Sequence, residues 1–297
     1  MERESWIFPR LGGSDSCADP LECVQLEQKE RIDSRLVVTL SIQVGVFVIE
    51  SSFCFLPRVG RKTERRWWES GLTSWDDFLT AKSIAGLGEN WKIYYDSALE
   101  QAKLKRAEND ARYFGIHLPA HEHWRLYEWL RPRTVYLDIE TNSFGQITVV
   151  GLYGQSRYTS FIRGESLDTR SLGETLRQYD LLVTFNGSGF DLPMLLAAFP
   201  DLPLDQPHLD LCTIGRQLGY RGGLKTIELQ LGLQRDPELQ GMTGSDAVLL
   251  WNRWRHRRDQ AARTRLLAYN HADCVNLEPL ADMFYCRMVQ WYRGEMK

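Results

Sequence analysis

Hydrophobic positions recur with two different periods along this chain, and the change of period divides it. From residue 134 onward both periods alternate. The stretch Thr134-Val-Tyr-Leu-Asp138-Ile-Glu140-Thr141 opens with five apolar, aromatic or β-branched residues among its first six, as a strand entering a core does. Runs 134–139, 146–153 and 158–162 are predicted as three consecutive strands joined by short turns. A helix is expected over 171–179 and a buried apolar strand over 181–185, followed by helices over 191–199, 211–219, 224–231 and 245–258. A long helical region from about 260 closes the chain, with Pro279 inside it as a candidate kink. This order predicts an α/β domain: a mixed sheet flanked by helices.

Upstream the period is helical. Residues 90–130 read as a charged helical connection whose buried candidates are Trp91, Tyr94, Leu99, Leu104, Tyr113, Phe114, Trp124 and Leu126. Residues 53–80 hold two short helices, with Gly71 placed to end the first and Thr73 or Ser74 to cap the second. Leu56-Pro-Arg-Val-Gly60 resembles the turn of a helix-hairpin-helix element, where a Gly-hydrophobic-Gly turn offers backbone N–H groups to a phosphate. Arg58 stands where that element places its first glycine. A structural helical pair packed on Trp67 and Trp68 accounts for the same residues equally well. Val38, Leu40, Ile42, Val44, Val46 and Val48 alternate as a strand would, with no neighbouring strand to join. Residues 1–35 mix charge, Gly, Ser and Pro without period and are expected to be poorly ordered. The predicted division is an N-terminal extension over 1–50, a helical segment over 51–130 and an α/β domain over 131–297.

Composition changes this picture little. With 43% hydrophobic and 25% charged residues, the chain has the make-up of an ordinary soluble globular protein. A net charge of −3 does not choose a partner, because a nucleic-acid protein needs only local basicity and an acidic metal site masks some of it. The six cysteines form no Cys-x-x-Cys pair, which argues against a zinc ribbon or disulfide framework and for a reduced, cytoplasmic compartment. No basic-then-apolar leader opens the sequence. The most apolar run, residues 36–49, is too short for a spanning helix, so no membrane partner is expected.

Three places carry candidate chemistry. Strand alternation puts Asp138 and Glu140 on one face, about 7 Å apart along the backbone. They read either as solvated residues at a strand end or as like charges neutralised by a cation. Phe185-Asn186-Gly187-Ser188-Gly189-Phe190-Asp191 runs from a buried strand through a Gly-rich turn to an acid at a helix start. Asp191 is a natural N-cap, yet the turn also delivers it to the C-terminal edge of the sheet, where open α/β sheets place ligands. In the last helix Ala262, Leu266, Tyr269, Asp273, Leu277, Ala281 and Phe284 share a face, so Asp273 interrupts an apolar stripe and needs a partner. Arg263 and Arg265 lie two or more turns away.

Taken in order, Asp-x-Glu, Asn-x3-Phe-Asp and Tyr-x3-Asp resemble the three exonuclease motifs of the DEDD family, in its tyrosine-bearing branch. Residues 134 to about 282 resemble the stand-alone ribonuclease-H-like domain of bacterial predicted exonucleases, and the likeness reaches back to about Phe53. Further strings carry it: Val183-Thr-Phe-Asn-Gly187, His208-Leu-Asp-Leu211, Gly222-Gly-Leu-Lys-Thr-Ile-Glu228, Gly244-Ser-Asp-Ala-Val248 and Tyr269-Asn-His-Ala-Asp273. The resemblance implies a ribonuclease-H-like fold and a 3′–5′ exonuclease using two Mg²⁺ or Mn²⁺ ions. It implies that Asp138, Glu140, Asp191 and Asp273 hold the metals and that Tyr269 orients the attacking water. That agrees with chemistry in which hard divalent ions take oxygen ligands, with no organic cofactor.

Weaker candidates surround these. Asn186 either touches the terminal nucleotide or shapes its turn, and Lys225 either reaches a phosphate or is solvated. His208 and Asp210 read as structural. In Trp251-Asn-Arg253-Trp254-Arg255-His256-Arg257-Arg258 the tryptophans share the Ala247/Leu250 face and read as core, while the arginines are a solvated face or track a nucleic-acid backbone. The leading expectation is an exonuclease acting on single-stranded ends of DNA or RNA. Its rivals are a catalytically inactive nucleic-acid-binding module of the same fold, and a scaffold docking partners through 53–80.

Overall fold

The computed structural model describes residues 48–292. The expectations for 1–35 and for the strand-like run up to Val46 lie outside the described residues, and Val48 opens a short 3₁₀ helix, Val48–Ser51. Helix α1 (Arg61–Glu69) and helix α2 (Trp75–Thr80) follow. Gly71 turns between them at φ +92°, a left-handed backbone that favours glycine. Ser74 caps α2 in a reciprocal box with Asp77. The Leu56–Gly60 turn is not preceded by an α-helix, because only the four-residue 3₁₀ helix lies ahead of it among the described residues. Arg58 nevertheless takes a left-handed φ of +65°, with its guanidinium 5.1 Å from the centre of the Trp91 ring.

The connection contains α3 (Glu89–Ala107), α4 (Ala111–His117), a 3₁₀ stretch Ala120–Leu126 and α5 (Tyr127–Leu130). Leu99, Phe114, Trp124 and Leu126 are buried as expected, whereas Trp91, Tyr94 and Leu104 face solvent at 36%, 51% and 57% exposure. Helix α3 buries a narrower stripe than its aromatic content suggested. A buried ionic cluster pins this segment: Arg125 is fully buried and holds Glu64 at 3.0 Å and Glu122 at 2.8 Å. Its guanidinium also lies 3.9 Å from the Tyr292 ring at the far end of the chain.

The sheet comprises β1 (Thr134–Thr141), β2 (Ile147–Gly154), β3 (Arg157–Ile162), β4 (Leu181–Thr184) and β5 (His208–Asp210), in the order β3-β2-β1-β4-β5. The first three strands pair antiparallel, while β4 and β5 run parallel to β1. β5 was not expected, since three residues between a proline and a helix carry no period to detect. Helices α6 (Thr169–Leu176) and α7 (Asp191–Ala198) occur where predicted within a few residues. So do α8 (Leu211–Gln217), α9 (Leu224–Leu231) and α10 (Gly244–Arg257). The final helix α11 (Gln260–Tyr292) continues through Pro279 as one element.

The sheet is packed on both faces. Val135, Leu137 and Ile139 of β1 join Leu172, Leu176 and Leu195 in one core with α6 and α7. Val149 and Ile162 join Trp251, Trp254, Leu266 and Tyr269 in the other, beneath α10 and α11. Strand alternation therefore assigns the odd positions of β1 to the first core and turns Asp138 and Glu140 toward α11.

Candidate active site

The site forms where β1 meets α11. One carboxylate oxygen from each of Asp138, Glu140 and Asp273 lies within 4.8 Å of the others. Glu140 and Asp273 are each 6% exposed, and Asp138 is half-buried. These acids line an open cleft of about 320 Å³ with Phe190, Gly244 and Tyr269. Asp191 is brought to the same sheet edge but stays outside the trio, its Oδ1 accepting a hydrogen bond from the Ile139 backbone N–H at 3.2 Å.

The acids raise one another's proton affinity. Burial, then the charges of Asp273, Glu140 and Asp191, pushes Asp138 well above the ordinary carboxylate range. Burial and Asp273 push Glu140 up to about 8, against the opposing pull of Asn270 and Lys225. Burial raises Asp191 to about 7, partly offset by backbone hydrogen bonds. Burial raises Asp273 as well, opposed first by Arg235 and then by Lys225.

Tyr269 sits one turn before Asp273 and is buried at 3% exposure. Burial and the surrounding Asp273, Glu140 and Asp138 charges push its phenol well above its ordinary value, so it remains protonated at any working pH. The Lys225 ammonium donates to the Tyr269 hydroxyl and lies 4.2 Å from its ring centre. Lys225 is thus held at the cleft and is not a freely solvated helix-start residue. Asn186 is exposed at φ +65°, and its backbone N–H donates to Asp210 Oδ1 at 2.8 Å. Asp210 also accepts from Ser188 and Cys212, so it braces the Gly-rich turn, while His208 bonds Thr184 at 2.8 Å. Both have the structural roles expected of them.

Against known proteins, a family model described as the RNase_H superfamily matches residues 135–285. The chain belongs to the ribonuclease H superfamily. Among solved structures it is similar to the family B DNA polymerase from the hyperthermophilic archaeon Pyrobaculum calidifontis, at 16% identity and a TM-score of 0.41. That match covers 53% of this chain and 24% of the polymerase chain, so this chain spans about a quarter of that protein's length. No curated protein shows significant similarity.

Residues with no role expected from the sequence surround the acids of this ribonuclease H superfamily member. Asp273 does have an arginine partner, contributed by a loop: Arg235 Nη1 lies 2.5 Å from its Oδ1. The pair is an ion contact without hydrogen-bond alignment, since both atoms lack a hydrogen-bond partner. The same guanidinium grips Glu228 through two bonds of 2.6 and 2.7 Å, and Asn276 donates to Glu228 at 3.0 Å. Asn270 donates to Asp138 Oδ2 at 2.8 Å while accepting from Tyr158. Gly151 lies opposite Asp138 in the β1–β2 register, and a Cβ there would meet Asn270 Oδ1 at 2.0 Å. Asn270 stands inside the Tyr269–Asp273 string, whereas the place of Gly151 depends on the β1–β2 register. Arg235 carried no signal, because a loop has no period.

The trio suits a hard divalent cation. Its donors are all carboxylate oxygens; Glu140 Oε1 is buried with no hydrogen-bond donor, and Asp273 Oδ1 is met by the Arg235 guanidinium, which a bound cation would have to displace or share.

Proposed function

We propose that this ribonuclease H superfamily chain is a divalent-metal-dependent 3′–5′ exonuclease that hydrolyses phosphodiester bonds at single-stranded DNA or RNA ends. The observation that carries the reading is the convergence of Asp138, Glu140 and Asp273 on one cleft, with Glu140 Oε1 buried and without a hydrogen-bond donor. Asp138, Glu140 and Asp273 would hold Mg²⁺ or Mn²⁺, with Asp191 completing the set at the second of two ions. Bound divalent ions supply activation of water and neutralisation of the charge that builds on the phosphate.

The side chains do the positioning. Burial and the neighbouring acids hold the proton affinity of the Tyr269 phenol above its ordinary value, and it would act as a hydrogen-bond donor that orients water or a phosphate oxygen. Lys225 brings a positive charge to the phenol and would meet a non-bridging phosphate oxygen. Asn186, exposed on the braced turn that leads to Asp191, would touch the terminal nucleotide. Asn270 fixes the Asp138 carboxylate so that its remaining oxygen faces the cleft.

One observation favours a second reading, a nucleic-acid-binding module without hydrolysis: Asp273 is already engaged by a cation of the chain itself. End-labelled DNA and RNA oligonucleotides separate the two. Stepwise shortening from the 3′ end that requires Mg²⁺ or Mn²⁺, stops with chelator and disappears in Asp138→Asn is the expected result. Intact oligonucleotides bound equally by wild type and Asp138→Asn would leave only the binding module.

A further inference from the structure

A groove of about 590 Å³ lies along α10, and its lining includes Asp246, Leu249, Arg253, His256, Arg257 and Arg265. Helical spacing explains it. Trp251 and Trp254 turn inward at 5% and 4% exposure, which leaves the basic positions of the same run facing out. The positions 246, 249, 253 and 256 recur every three or four residues and form one stripe. The neighbouring stripe, Gly244, Ser245 and Val248, lines the catalytic cleft. The groove therefore starts one position around the helix from the cleft and runs away from it.

Its charge is one-sided. Three arginines face a single carboxylate, Asp246, and that carboxylate is engaged by the Thr243 backbone N–H at 2.8 Å and its hydroxyl at 2.7 Å. Arg257 is exposed and forms no ion pair among the described residues. Arg265 donates to the Glu238 carbonyl at 2.8 Å, a neutral partner, and forms no ion pair among the described residues. The Thr243 hydrogen bonds and, less strongly, nearby charges including that of Arg265 lower the proton affinity of Asp246. Arg253, itself exposed, pairs with half-buried Asp259, an ion pair at the surface that a phosphate can exchange for. Leu249, 61% exposed, adds apolar surface for a sugar or base. From 246 to 257 the helix rises about 16 Å, enough to run beside several nucleotides of a single strand.

We propose that this groove binds the single-stranded nucleic-acid backbone leading away from the cleft, with Arg253, Arg257 and Arg265 contacting phosphates; the direction of the strand rests on the nuclease reading above. The test is fluorescence anisotropy of the full chain with a labelled 20-nucleotide and a labelled 4-nucleotide single strand, in chelator, across a sodium chloride series. Arg257→Gln/Arg265→Gln should weaken 20-nucleotide binding at least tenfold at low salt. It should also flatten the log–log salt slope by about 1.4, at about 0.7 per lost single-strand contact. Arg257→Lys/Arg265→Lys should restore most of the slope, which a folding defect would not allow. Unchanged slope and affinity overturn the proposal, as does equal weakening for the 4-nucleotide strand. So does a groove that binds an acidic peptide while ignoring both oligonucleotides. Because binding is read without divalent ions, a chain that hydrolyses nothing still reports on the groove, and an active nuclease with unchanged slope removes the groove alone.

Discussion

Replacing Arg235 with methionine keeps much of its volume and removes its charge, and the structure fixes what that should do. Arg235 is 7% exposed in its side chain and faces Glu228 at 2% and Asp273 at 8%. Its two aligned bonds go to Glu228, so most of the loss falls there; after substitution Glu228 retains Asn276 and Asp273 retains no cation in direct contact. Breaking one side of a buried ion pair costs about 3–5 kcal/mol, because the other charge is left in a poorly solvated place. For a unit of this size that lowers Tm by roughly 2–4 °C per kcal/mol, about 10 °C in all. Divalent ions should reverse part of the loss. A cation bound at one hundred times its dissociation constant adds about 2.7 kcal/mol, and in the variant it no longer competes with a guanidinium for Asp273. The assay is thermal melting of wild type and Arg235→Met at pH 8, with chelator and with Mn²⁺. The expected result is a large deficit in chelator and a larger Mn²⁺-induced rise in the variant than in wild type. A deficit below about 1 °C, or equal rises in both proteins, would refute the account of Arg235 as the counter-ion of this site.

Two further predictions concern protons and packing. Glu140 at about 8 and Asp138 well above the carboxylate range bind protons more tightly in the folded chain than in the unfolded one. Their contribution to stability is thus complete at low pH and is lost as pH rises through about 8, so metal-free protein should melt lower at pH 8.5 than at pH 7. Burial holds His123 and His208 below their ordinary value of 6.5, an opposing effect that ends below this window. Metal affinity should move the other way and increase between pH 7 and 8.5, as titration calorimetry with Mn²⁺ would show; a flat affinity contradicts the proton competition. Gly151→Ala places a Cβ 2.0 Å from Asn270 Oδ1 and 2.7 Å from Cys274 Sγ, so α11 or β2 must shift. We expect a loss of about 1–3 kcal/mol in urea unfolding together with weaker metal binding, and an unperturbed variant would mean that Asn270 does not orient Asp138.

Much of the fold was legible because the pattern was unambiguous where packing is strongest. The odd positions of β1 and the Ala262–Phe284 stripe of α11 face the cores that their periods predicted, and alternation alone turned Asp138 and Glu140 toward Tyr269 and Asp273. What escaped has physical reasons. β5 is too short to show a period, and its place depends on parallel pairing with β4. Trp91, Tyr94 and Leu104 are apolar residues on a helix that needs only Tyr95, Leu99 and Ala102 for its contact. Arg235 reaches Asp273 across 38 residues of sequence from an irregular loop, and side-chain reach from a loop leaves no trace in composition or spacing.

The balance of charge around the cleft ties these residues together. Asp138, Glu140, Asp191, Asp273 and Glu228 are five carboxylates, and Lys225 and Arg235 are the two cations named in contact or in field with them. In the chain alone, burial first, and then the neighbouring acids for Asp138 and Glu140, make Asp138, Glu140 and Asp191 hold protons more tightly than ordinary carboxylates, which relieves part of the excess of three negative charges. Two divalent ions would overcompensate the same excess and leave the cleft net positive, suited to a phosphodiester. Lys225 has a second consequence. By donating to the Tyr269 oxygen it occupies that oxygen as an acceptor, and Tyr269 lines the cleft together with the acids. On the proposed reading the phenol would then serve as a donor to the cleft. Lys225→Met should leave it buried and protonated but free to rotate, lowering turnover more than it weakens binding of a single strand.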